Sequence, residues 1–113
     1  MNPLISAIVT KALDGLSLRA QATAQNIANV NSQNYRPLRV SFEAELAAAV
    51  NRGQGAVEAV PLRVTETSTG PRGVRMDLEL ADQSATAMRY DALVDVLGRE
   101  LSLDHAMLQG GQQ

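Results

Sequence analysis

A mainly α-helical unit is the fold class predicted, with long N- and C-terminal helices flanking an irregular or hairpin-like middle. Three observations carry it. Only 3% of residues are aromatic although 45% are hydrophobic, so alanine and leucine must supply the apolar contacts. That suits helix packing more than a sandwich or barrel core. Apolar residues recur at helical steps near both ends of the chain, and turn-forming residues gather between them. With 113 residues, one unit over 1–113 is expected.

The first helix is expected over residues 3–31. Asn2 and Pro3 supply a carboxamide cap and a proline at the first helical position. Ile5, Ile8 or Val9, Ala12, Leu16, Thr23, Ile27 and Val30 then recur at steps of three, four or seven, and Arg19 interrupts them. Residues 32–76 are expected to form a loop, a short third helix over 42–50 ("FEAELAAAV") and an irregular stretch. Within 56–76, two prolines, two glycines and the β-branched Val57, Val60, Val64, Thr65 and Thr67 predict a loose hairpin or loop.

The second long helix is expected over residues 77–109. Asp77 is the expected cap, and Glu79 stands in the first turn, where the helix dipole favours anions. Ala85, Met88, Ala92, Val96, Leu103 and Met107 form one apolar stripe, widened by Leu93, Leu97, Leu101 and Leu108. Gly110 and Gly111 end it. Gly15 and Gly98 each cost about 1 kcal/mol relative to alanine inside a helix. They mark either a close helix approach or a tolerated weakness.

Several function classes lack support. A formal net charge of -2 without any block of like charge is no footprint for nucleic acid or an anionic membrane. The absence of cysteine removes thiolate metal sites, disulfides and thiol nucleophiles. His105 is the single histidine, placed near a helix end where the dipole favours it, and cannot build a metal site alone. Asp77, Glu79 and Asp82 read as helix-start charges. "GQG" and "GPRG" are turn punctuation, too sparse for a phosphate loop. Arg52, Arg63, Arg72 and Arg75 read as a solvated loop. No enzyme, cofactor or metal is expected. The start "MNPLISAIVTKALDGL" lacks a basic leader and a cleavage site, and no stretch approaches the ~18 apolar residues of a membrane span.

Apolar residues on the first helix spread beyond the roughly 100° stripe that one partner helix covers. Either other subunits supply the missing contacts, or a small three-helix bundle exposes a wide apolar face. Arg19 on that stripe is either a snorkelling side chain or half of an inter-subunit salt bridge.

The segment "LSLRAQATAQNIANVNSQNYR" resembles the N-terminal signature of the flagellar rod, hook and hook-associated protein family. Leu16 and Arg19 match its opening. Ala24, Asn26, Ile27, Ala28 and Asn29 match its core, and Tyr35 and Arg36 its end. Ser32, Gln33 and Asn34 stand where the family usually has Thr-Pro-Gly; Asn34 can adopt the left-handed conformation that glycine would supply. "RVSFEAEL", with Phe42, and "MRYDALVDVLGRELSLDHAML", with Tyr90, Leu97 and Leu101, are similar to the family's short proximal-rod subunits. The resemblance covers residues 4–46 and 74–108.

The resemblance implies terminal helices paired as an antiparallel coiled coil in a structural subunit of the basal body. Such a subunit is exported by the flagellar type III apparatus without cleavage and assembles helically in the periplasmic rod. The neighbours implied are FlgC-type and FlgF/FlgG-type rod subunits, the rod-base adaptor FliE, and the MS ring or export gate. Asn26 and Asn29 are then expected to fix the exit from helix to loop, since a carboxamide both donates and accepts hydrogen bonds, with Tyr35 packing back on them. The competing reading is a small soluble helical adaptor or export chaperone that takes a partner helix into an apolar groove.

Overall fold

The structure, a computed structural model, describes residues 1–68 and 73–111. The expected turn and loop residues Gly70, Pro71 and Arg72 lie outside that set. The element order is α1 (Pro3–Ala28), β1 (Leu38–Val40), α2 (Glu43–Val50), α3 (Gln54–Glu58), β2 (Val64–Glu66) and α4 (Met76–Gly110). The chain is mainly helical, and its two long terminal helices pack on each other. No described helix is long and apolar enough to cross a membrane.

Helix α1 starts as its sequence demands: the Leu4 amide donates to the Asn2 side chain at 2.7 Å. It stops at Ala28, three residues before the expected end. Asn29 is the C-cap; its amide donates to Gln25 and Asn26 carbonyls. Its side-chain amide also donates to the Gln25 carbonyl, and its Oδ1 accepts from Ser32 Oγ, each at 2.9 Å. Local side-chain bonding of this kind competes with helix propagation. In the loop that follows, Asn34 takes φ 61°, the left-handed conformation expected of it.

The middle folds differently from expectation. Residues 56–76 contain no hairpin among their described members. Strand β2 instead pairs antiparallel with β1, with Leu38 opposite Glu66 and Val40 opposite Val64. Strand β1 is already anchored to α1, so it offers a fixed edge on which β2 can pair. Between them, Gly53 turns the chain at φ 97° into the five-residue α3, too short to show a periodic pattern. Lys11 Nζ, from α1, donates to the Glu58 and Val60 carbonyls at 2.9 Å each, satisfying acceptors at the end of α3.

The core lies between α1 and this middle layer. Leu16 and Ala22 of α1 meet Val40, Phe42, Leu46, Ala49, Val57 and Val60. Phe42, the residue before α2, is 2% exposed and lies on Gly15. Gly15 therefore marks a close approach, but to an aromatic ring rather than a helix. Among the described residues, nothing lies within 4 Å of the position a Cβ would take at Gly98.

Helix α4 begins after Arg75, so Asp77 is not its cap. Asp77 sits in the first turn, where the Arg75 guanidinium donates to its carboxylate at 3.0 and 3.3 Å. That guanidinium holds the Asp77 carboxyl below its ordinary pKa. Glu79 near the start of α4 bonds Asn26 near the end of α1, and Asp104 near the end of α4 pairs with the Met1 amino group. The two helices thus run antiparallel.

The seam is not the expected stripe. Glu79, Gln83, Thr86, Leu93, Leu97, Glu100 and Asp104 are the withdrawn residues of α4, with Ala85 beside them. With Tyr90 they alternate steps of four and three, the spacing of a left-handed coiled coil. Met88, Val96, Leu103 and Met107, expected inside, are exposed, as are Leu101 and Leu108. The polar contacts of Glu79 set the rotation of α4 and turn its richest apolar line outward.

These packing differences predict opposite outcomes at the two helical glycines. A Cβ at Gly15 would overlap the Phe42 ring, so Gly15→Ala should lose about 1–3 kcal/mol by overpacking, despite alanine's better helix propensity. Gly98→Ala, in open space, should gain up to about 1 kcal/mol. Urea unfolding of the two variants beside the parent checks both signs.

Candidate assembly site

Asn26 is fully buried in the last turn of α1. Its Nδ2 donates to the Leu38 carbonyl at 2.9 Å and to Glu79 Oε2 at 3.0 Å. Its Oδ1 accepts from the Tyr35 hydroxyl at 2.9 Å and from the Leu38 amide at 2.8 Å. Two donors and two acceptor sites are all that a carboxamide has. One side chain therefore joins α1, the following loop, β1 and α4.

Glu79 is 1% exposed and is held from two sides. Its Oε2 accepts from Asn26, and its Oε1 accepts from Arg39 Nη2 at 2.7 Å. Arg39 is itself 43% exposed and also donates from Nη1 to the Leu38 carbonyl at 3.0 Å. A buried carboxylate needs such a guanidinium, because a lone buried charge is strongly destabilising. Burial pushes the Tyr35 phenol above its ordinary pKa of 10.0, and the Glu79 and Glu66 carboxylates add to that while Arg39 opposes it.

Arg19 forms the second polar tie. Its Nε and Nη2 donate to the Val40 carbonyl at 3.1 and 2.7 Å, and Nη2 also pairs with the Glu43 carboxylate. Its guanidinium carbon lies 5.1 Å from the centre of the Phe42 ring, a cation–π distance. The charge on the apolar stripe is thus matched within the chain.

The structure gathers Leu16, Arg19, Asn26, Tyr35 and Phe42 where α1 meets the middle layer. Asn29 caps the helix beside them. Ile27 is half-buried, whereas Ala24, Ala28 and Arg36 face outward. Tyr90, Leu97 and Leu101 lie farther along α4, and Leu101 is exposed. Sequence reasoning missed Glu79, read as a helix-start charge, and Arg39, its partner. The available signal was an acid near a helix start with an arginine on an adjoining strand, which by itself has many solvated explanations. Among the described residues, no group of three or more His, Cys, Asp or Glu could hold a metal ion.

The class defined here is an elongated, mainly helical unit whose two long terminal helices are joined by a fully bonded asparagine. No protein-family model matches the chain. Over 38 residues the chain is 53% identical to a Borrelia hermsii protein named flagellar basal body rod protein FlgB. That match spans 34% of this chain and 28% of the relative. The similarity agrees with the resemblance read from the sequence, and the relative's name is that of a structural flagellar component.

Asn26→Ala leaves the Tyr35 hydroxyl, the Leu38 amide and carbonyl, and Glu79 each short of a partner, and should cost about 2–4 kcal/mol. Asn26→Asp sets a second carboxylate against Glu79. It should be less stable still at neutral pH and regain stability on acidification, as the two carboxylates come to share a proton. Urea midpoints as a function of pH measure both.

A raised phenol pKa adds stability that is complete below the unfolded value of about 10 and lost as pH rises through the folded value. The parent should therefore lose stability above about pH 10 by an amount that Tyr35→Phe does not show. At neutral pH that variant should lose about 1 kcal/mol with its hydrogen bond. Unfolding curves on either side of pH 10 compare the two.

Proposed function

We propose that this chain is a FlgB-like structural subunit of the bacterial flagellar rod. The observation that carries the reading is the 53% identity over 38 residues to a flagellar basal body rod protein. The geometry supports it: the asparagine of the rod, hook and hook-associated signature is the side chain that closes this fold. In this reading the subunit passes the flagellar export gate without cleavage and enters the periplasmic rod. There it contacts FlgC-type and FlgF/FlgG-type subunits, FliE at the rod base and the MS ring, and helps transmit torque. It has no catalytic role. The exposed apolar residues of α4, Leu80, Val94 and Leu101 among them, form the surface that neighbouring subunits cover, since an exposed apolar patch of this kind marks an interaction surface.

The test is deletion of the gene, complementation with an epitope-tagged copy, and purification of basal bodies. The tagged chain should copurify with the rod, and the deletion should abolish motility. Asn26→Ala should lower rod incorporation at least tenfold at unchanged expression. Normal motility in the deletion strain, or a tagged chain found only in the cytoplasm on another protein's helix, would overturn the reading in favour of an adaptor or export chaperone.

A further inference from the structure

The chain is thin. Its Cα atoms span 66 × 27 × 13 Å, so two broad faces enclose a shallow layer. Two different apolar surfaces flank the α1–α4 seam. On one side is a groove of about 660 Å³ between α1, α2 and α4, floored by Ile8, Ala12, Phe42, Leu46, Ala47 and Ala92. On the other, Leu80, Ala87, Val94 and Leu101 recur at steps of seven along α4, bordered by the seam residues Tyr90 and Leu97. That is a second coiled-coil line, rotated from the first. Leu80, Val94 and Leu101 on it are exposed.

Charge marks the two sides as complements. Arg89 stands at the groove, and Asp91 stands beside Ala87 and Tyr90 on the stripe. Neither makes an ion pair among the described residues. Two positions apart on one helix, they do not face each other, so they cannot satisfy one another within a chain.

We propose that copies of this chain stack head to tail, the α4 stripe of one copy lying in the groove of the next, with Asp91 against Arg89 at each junction. A closed two-fold dimer that paired like surfaces would bury one of them and leave the other in water. A heterologous contact covers both and does not close. This names the partner surface within the rod reading and rests on it only for the place where stacking occurs.

The native chain has no cysteine, so single cysteines report contacts directly. Ala47→Cys marks the groove and Ala87→Cys the stripe; both alanines are exposed. Mixed and mildly oxidised, the two variants should form the 47–87 disulfide at least tenfold more than either variant bonds to itself. A chain carrying both cysteines should give a ladder of multimers. Arg89→Glu or Asp91→Arg alone should cut the yield at least tenfold, and both reversals in one chain should restore it, because every junction again pairs opposite charges.

Dominant 47–47 or 87–87 products, yields no higher than in urea, or failure of the double reversal to rescue would overturn the stacking. So would cross-linking of Ala47→Cys in cells only to a different polypeptide. The outcomes separate from those of the rod reading. A chain present in basal bodies but without the 47–87 bond defeats this interface alone. A chain that stacks but is absent from basal bodies defeats the rod reading alone.

Discussion

The architecture depends on one contact, the hydrogen bond between the Asn26 carboxamide and the Glu79 carboxylate inside the α1–α4 junction. A buried carboxylate is tolerated only when its charge is matched and its oxygens are bonded. Arg39 matches the charge and Asn26 bonds the second oxygen. Asn26 is held in turn by both backbone groups of Leu38 and by Tyr35. Every member is needed by another, which is the condition under which a buried polar network specifies one arrangement.

That arrangement sets the rotation of α4. Turning Glu79 inward places Gln83 and Thr86 inward as well, one and two turns along the helix, and part of the seam is therefore polar. The apolar side chains that hydrophobicity alone would bury are turned to the solvent side. Stability comes instead from the small core between α1 and the middle layer, where Phe42 lies on Gly15 and Arg19 reaches Val40 and Glu43. The molecule has a closed half, built around that core, and an open half, the distal part of α4.

The helices were legible because their signals are local. The Asn2–Pro3 start, the short helix after Phe42 and the glycine-marked end of α4 all follow from neighbours in sequence. The importance of Asn26 was legible too, through its place in the signature, and so was the return of Tyr35. The identity of their partners was not. The pairings of Glu79 with Asn26 and of β2 with β1 join residues far apart in the chain, and nothing in the composition of 56–76 says that its strand belongs to residues 38–40. The rotation of α4 was misread for the same reason. Periodicity finds the most apolar line on a helix, while a distant hydrogen bond decides which line faces in.

The separation of Asn26 from Glu79 also orders events in time. The two side chains are 53 residues apart, and a chain made from its N-terminus presents the asparagine long before the glutamate exists. Until residue 79 has emerged, α1 carries a carboxamide whose partners are water, Tyr35 and β1, and its seam with α4 has no counterpart. Closing so distant a contact is slow compared with forming a helix. The nascent molecule therefore passes through a stage with its first helix available and its final shape unsealed. The glutamate near the start of its last helix ends that stage.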